Sequence, residues 1–408
     1  MSSRATSSCT SSAVTSPSTP PPPLEASHIL SMTANTAPPS LLKRSRSPSP
    51  LRLPESPSES LSSSSTLPHA PPSSESAELW DNSAAGSEPT LGSGDESCIT
   101  ASADMVNKAF DTFQKLTAYN IHSEASRAMP DVLHSFVDDQ IKAYRRITSP
   151  SARDVGRDQL VAVHKSERGG IELLAPNILL KGERHGGEAY IIQDAEVVLD
   201  GEHLPEAPSQ KVVDTWSALS KSVPDHAIGY ISSSDAGRWR VTAPFNQAQE
   251  NDVLTAIVPA AATLFPFLTA EWKSGGGSEG HTHAALQAVR GAACVVNYNY
   301  AFLKHAGMVP TLLDTIHFSL TCNMDTVKLY VHWREHFAGD IHHYSKRIGS
   351  HNLSDADEDE SNPDMLKFRA RLRNILDWAV GVRLDTIQCA IGKIAKIERG
   401  GRKRRRCE

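Results

Sequence analysis

Apolar positions recur at helical spacing from Asp104 onward. Met105, Val106, Phe110, Phe113 and Leu116 predict a helix over 104–120. "PDVLHSFVDDQIKAYRRI" predicts a second helix, with Pro130 suited to its first turn. A third, "ARDVGRDQLVAVHKSE", runs towards Glu167, and "GIELLAPNILL" carries the chain into the core. From about 185 the pattern turns strand-like, with candidate strands in "EAYIIQDAEVVL", "DHAIGYIS" and "RWRVTA". "NQAQENDVLTAIVPAAATL" reads as helical, "LFPFLTAEWK" as a strand, and "HTHAALQAVRGAACVVNYNYAFLKHAG" as a long, mostly buried helix. Ile316, Phe318 and Leu320 alternate, "NMD" turns, and Val327, Leu329 and Val331 alternate again, which predicts a hairpin. The acidic "DADEDESNPD" is a loop, and "MLKFRARLRNILDWAVGVRLDTIQCAIGKIAKIE" is one long helix or a broken pair. This order of elements predicts a mixed α/β domain over 104–398.

The residues before it are different material. Residues 1–103 carry "TSPSTPPPPLEAS" and "LKRSRSPSPLRLPESPSESLSSSSTLPHAPPSSES", rich in Ser and Pro and poor in aromatics. Such a segment buries too little apolar area to offset chain entropy, so a long disordered N-terminal arm is expected. Its Ser-Pro pairs read first as low-complexity spacer and second as sites of proline-directed phosphorylation. The whole chain has 408 residues, 39% hydrophobic and 22% charged, with a formal net charge of −6. A uniformly basic nucleic-acid coat is excluded, while local basic patches remain open. The six cysteines lack CxxC pairs and point to a reducing compartment. No apolar run reaches the ~18 residues of a membrane span, so no membrane association is expected.

Within "LFPFLTAEWKSGGG" the alternation of strand side chains raises a question of chemistry. Leu268, Ala270 and Trp272 share one face, and Phe267, Thr269, Glu271 and Lys273 share the other. The second face starts apolar and ends charged, beside a glycine-rich loop. A carboxylate and an ammonium there are expensive unless paired or bound to something. One reading is a salt-bridged pair at a strand end. The other is a site in which Glu271 holds a hard cation, Mg²⁺, while Lys273 polarises attacking water or a phosphate. That reading needs a second carboxylate from a neighbouring strand, and Asp225, after Pro224 at the head of "DHAIGYIS", is the candidate.

Pro-Asp followed by Glu-x-Lys is the signature of the PD-(D/E)xK nuclease-like superfamily. "VPDHAIGY", "LFPFLTAEWK", "HAALQAVRGAA" and "IHFSLTCNMDTVKLYVHW", in that order, resemble a family of uncharacterised fungal domains placed in that group. The resemblance covers about 155–350. It implies a restriction-endonuclease-like core with added helices and metal-dependent hydrolysis of phosphodiesters. It implies further that Asp225 and Glu271 hold Mg²⁺, that Lys273 serves catalysis, and that Gln287 on the next helix assists. Arg290 would then grip a phosphate, or else bridge to an acid. Glu167 is the additional glutamate of the first core helix and a third ligand, with Glu172 an equal rival. Trp272 departs from the superfamily's smaller apolar residue. The alternative is a nuclease fold without turnover, acting as a binding or interaction module. Nucleic acid is the expected partner of the active form.

His281 with His283, and His342 with His343, lack the spacing and the cysteine partners of a zinc site. The tail, 399–408, contains five consecutive basic residues from Arg402 to Arg406 after a Gly-Gly hinge. It reads as an address for the nuclear import machinery and sets the expected location to the nucleus, with the cytoplasm as the alternative. Limited proteolysis is expected to strip the arm and leave a resistant core beginning between about 104 and 150. A protected N-terminal fragment would contradict that reading.

Overall fold

The computed structural model describes residues 96–124, 127–145, 152–180, 190–254, 263–274, 280–353 and 363–405. The expected arm lies almost wholly outside the described residues. Its boundary is nonetheless displaced, because the first helix, α1 (Glu96–Ala118), starts before residue 104. It leads to β1 (Ile121–His122) and then to α2 (Asp131–Phe136), for which Pro130 is the N-cap residue. α3 (Ala152–Ala162) ends well before Glu167. Glu167 instead opens α4 (Glu167–Ala175), because the Ser166 side chain accepts from the Gly169 N–H and starts a new helix there. β2 (Ile191–Ala195) and α5 (Gln210–Trp216) precede β3 (His226–Ile231).

The strand expected at "RWRVTA" does not form. Arg238 and Trp239 end α6 (Ser233–Trp239), which the Ser232 hydroxyl caps, and Arg240 closes it in the left-handed conformation. α7 (Gln247–Gln249) carries a capping box between Asn246 and Gln249. β4 (Thr263–Trp272) is buried along its whole length, and α8 (His281–His305) follows. After the short α9 (Leu312–Thr315), β5 (His317–Cys322) and β6 (Thr326–Phe337) form the expected hairpin. β7 (Asp340–Asn352) was not read from the sequence. Its apolar positions are few, since one of its faces carries His343, Ser345 and Arg347, so the alternation is masked. α10 (Pro363–Trp378) and α11 (Leu384–Arg405) are the broken pair, separated by a kink at Gly381. α11 runs through Gly400 and Gly401 to Arg405, so those glycines form no hinge.

The seven strands make one mixed sheet in the order β1-β7-β6-β5-β4-β3-β2. β4 and β5 are parallel, joined across α8, and β1 is parallel to β7; the remaining pairs are antiparallel. A parallel connection needs a long crossover, and α8 supplies it. α8 lies on the face carrying Ala227 and Phe265: Cys294 and Val295 pack with Ala227, and Phe302 meets the Phe265 ring at 4.7 Å. On the opposite face Phe318, Leu320 and Cys322 stand beside Val331, Leu329 and Val327, and the Trp378 ring of α10 meets Phe318 at 5.5 Å. Trp272 and Trp333 are among the largest fully buried side chains, each worth roughly 1.5–3 kcal/mol in removed apolar surface. Trp272 fills the core edge-on to His226 at 6.1 Å, and its Nε1 is buried there without a hydrogen-bond partner.

Gly229 marks an irregularity in the pairing of β3 with β4, where the register shifts between Ile228 and Tyr230. The bulged segment of β4 passes so close that a Cβ on Gly229 would lie 2.3 Å from Thr263 Cγ2 and 2.6 Å from the Leu264 carbonyl oxygen. Phe265 takes a positive φ of 47° in the same bulge. Gly229→Ala is therefore expected to cost about 1–3 kcal/mol. Chemical denaturation measures this, and an unchanged midpoint would show that the bulge relaxes freely.

Candidate functional site

β3 and β4 pair with His226 opposite Ala270 and Ala227 opposite Thr269. Continued one step, this register sets Asp225 across from Glu271. The Asp225 carboxylate accepts the Trp272 amide N–H at 2.7 Å, and the Asp225 carbonyl accepts the Glu196 N–H at 3.0 Å, so the strand end is held on both sides. On the other side β5 places Thr321 beside Glu271, and β6 places Lys328 beside Thr321. One row of side chains thus crosses four strands on the α8 face: Asp225, Glu271, Thr321 and Lys328.

Glu271 is 2% exposed and Lys273 is 7% exposed, so the charged end of β4 is buried. Lys273 extends the ladder past the strand, its N–H donating to the Cys322 carbonyl at 2.8 Å. Burial pushes the Glu271 carboxyl up to about 8, the charge of Asp225 adds to the shift, and Lys273 and Arg290 oppose it. Burial also raises the Asp225 carboxyl, against the opposing Trp272 amide and Lys273. Two carboxylates facing each other in a dry setting cannot both keep a full negative charge cheaply.

α8 brings the remaining candidates. Arg290 Nη1 donates to the Ser220 hydroxyl at 2.7 Å, and the guanidinium interacts electrostatically with Glu271. Its Nε is buried without a partner, as is Gln287 Oε1 one turn earlier. Glu167 lies at the same end of β4, with Oε2 accepting the Ser274 N–H at 3.1 Å. Glu172 points elsewhere, exposed and paired with Arg168 at 3.4 Å. The structure therefore brings Asp225, Glu271, Lys273 and Arg290 together, adds Glu167 at the rim, and keeps Gln287 on the helix face that bears Arg290.

Sequence reasoning did not place three further residues along this row. His281, at the start of α8, meets the Thr321 hydroxyl at 2.9 Å through Nδ1 and the Thr326 hydroxyl at 2.6 Å through Nε2. Burial and the charge of Lys328 push its ring down to about 4, which holds it neutral. Lys115 of α1 donates to the Ala218 carbonyl at 2.8 Å, and its ammonium feels the charge of Arg290. Lys328 was legible as a polar position of the hairpin, because Val327 and Leu329 alternate with it. Lys115 carried no such signal, since only the docking of α1 brings it here.

Among the described residues of this row, Asp225 and Glu271 are the pair that could hold a hard cation. Mg²⁺ takes one or two carboxylates and completes its shell with phosphate oxygens and water, so this pair meets the minimum. The raised Glu271 carboxyl is the state a divalent cation would reverse. Among the described residues no group of three or more His, Cys, Asp or Glu side chains is gathered to hold a metal ion, so a third protein ligand is not in place.

The arrangement defines a mixed α/β protein with a carboxylate pair, a lysine and an arginine at one end of its central strands. The family described as "Domain of unknown function (DUF7924)" matches residues 188–391, half of the chain, and the protein belongs to it. Asp225, Glu271, Lys273, Gln287 and Arg290 fall inside the matched segment, and Glu167 falls outside it. No curated protein matches the chain.

Glu271 keeps its proton in the folded protein up to about 8, against an ordinary value of 4.5. The folded state thus binds more protons between those values, and stability falls as pH rises through that window. With EDTA present, Glu271→Gln is expected to melt above the wild type at about pH 9 and close to it at about pH 5. A melting difference independent of pH would contradict this.

Proposed function

We propose that the protein is a metal-dependent nuclease of the PD-(D/E)xK type, with a restriction-endonuclease-like core. The observation that carries the proposal is the cross-strand placement of Asp225 against Glu271 with Lys273 two residues further along. In this reading Asp225 and Glu271 hold Mg²⁺, which when bound supplies Lewis-acid polarisation of a phosphoryl oxygen. Lys273 presents its ammonium to the phosphate and orients the attacking water. Water adds to phosphorus and gives up a proton to solvent, the P–O bond to the leaving group breaks, and the departing oxygen takes up a proton from solvent. Arg290 grips a non-bridging phosphate oxygen, and Gln287 offers its unpartnered amide oxygen to the water. Glu167 fixes the Ser274 backbone and so the exit of the chain from Lys273. The basic run Arg402 to Arg406 is the proposed nuclear address.

The family description names no activity, and a second reading keeps the fold without turnover, as an interaction module. The observation favouring it is that just two carboxylates converge among the described residues. Mg²⁺ affinity and plasmid nicking separate the two. Lys273→Ala is expected to lower nicking by at least ~100-fold with Mg²⁺ binding largely intact, because lysine is not a ligand. Glu271→Ala is expected to lose both. Wild-type protein with neither Mg²⁺ binding nor nicking of any nucleic acid would leave the interaction module standing.

A further inference from the structure

A cleft lies at the other end of β4 from Glu271, where the bulge around Phe265 meets α8 and the kink between α10 and α11. It has about 110 Å³ of room, and its walls are largely apolar, with Phe136, Phe265, Phe302, Leu303 and Ile387 among them. Arg383 and Asn299 also line it, and each is 4% exposed.

Arg383 is an unusual group to find there. A guanidinium withdrawn from water is costly unless a counter-charge meets it. Its acceptors are all neutral: the Tyr230 hydroxyl at 3.0 Å, the Pro266 carbonyl at 3.4 Å and Asn299 Oδ1 at 3.5 Å. Its Nε has no partner. No carboxylate pairs with it among the described residues. The rings of Tyr230, Phe267 and Trp378 lie 5.4–5.8 Å from its Cζ and offset part of the cost. Asn299 is held by long bonds, its Nδ2 reaching the Thr315 carbonyl at 3.5 Å. Asp314 also lines the cleft, but its carboxylate is engaged by the Thr311 amide at 2.8 Å and hydroxyl at 2.6 Å.

We propose that this cleft binds a small monocarboxylate with an apolar body. Its carboxylate accepts from Arg383 Nη2 and Asn299 Nδ2 in place of their long bonds, and its hydrocarbon lies between Phe302, Leu303 and Ile387. A concave, mostly apolar wall with a few convergent polar groups is the usual form of a small-molecule site. The missing counter-charge selects an anion over a neutral ligand of the same shape, and the planar fork of arginine suits a carboxylate. The site is independent of the nuclease reading.

The test uses the full chain and three probes: hexanoate, phenylacetate and, as the neutral counterpart, 1-hexanol. Calorimetry and thermal melting read binding. At least one carboxylate is expected to bind saturably and raise the melting temperature, with 1-hexanol at least tenfold weaker. Arg383→Met, which keeps much of the side-chain volume, is expected to weaken the carboxylate at least tenfold. Because Arg383 also braces Tyr230, Thr386→Trp gives a second arm: it starts from a half-exposed position on α11, fills the cleft and is expected to abolish binding while melting like the wild type. No response to either carboxylate overturns the proposal. So does equal binding of 1-hexanol, or carboxylate binding that Thr386→Trp leaves unchanged.

Discussion

Carboxylates repel, and a protein interior amplifies the repulsion, so two of them stay together only where the backbone leaves no choice. The register of β3 against β4 imposes that condition here. It sets Asp225 across from Glu271, and the Trp272 amide anchors the Asp225 carboxylate at 2.7 Å. The apolar side of β4 does the rest. Leu268, Ala270 and Trp272 are buried on the far face, so slipping the strand by one residue would turn Trp272 onto the α8 face and set Glu271 among Phe318, Leu320 and Cys322. Packing on one face of the strand therefore enforces electrostatic strain on the other.

The rest of the site follows from that constraint. α8 crosses from β4 to β5 over the charged row and carries Arg290 to Glu271, where the guanidinium partly compensates the buried carboxyl. His281 ties the start of α8 to Thr321 and Thr326, so the helix is positioned by the strands that bear the row. Lys273 and Arg290 supply the positive charge that acts on Glu271, while Lys328 stands two strands further along the row and Lys115 acts on Arg290. Under the proposed nuclease reading, a cation would sit between these carboxylates and an anionic ligand.

Local pattern revealed the strands that matter, because their signals are local. β4 announces itself by length and apolarity, and the β5–β6 hairpin by strict alternation around "NMD". The two faces of β4 followed from period two alone. What stayed hidden depends on distant parts of the chain. β7 shows little alternation because its polar face sits among the histidine, serine and arginine side chains of the sheet. Lys115 reaches the site through the docking of α1, and the choice between Glu167 and Glu172 rests on where α4 begins, which the Ser166 cap decides. "RWRVTA" reads as a strand by composition, yet the Ser232 cap had already committed Arg238 and Trp239 to a helix.

The central claim is that the carboxyl of Glu271 is protonated until a cation displaces its proton. Titrating Mg²⁺ by calorimetry at about pH 7 in two buffers of different ionisation enthalpy counts the protons released on binding. With the carboxyl near 8, the account predicts release of close to one proton per ion bound, falling towards zero by about pH 9. Binding with no proton release at either pH, or no binding at all, would contradict it.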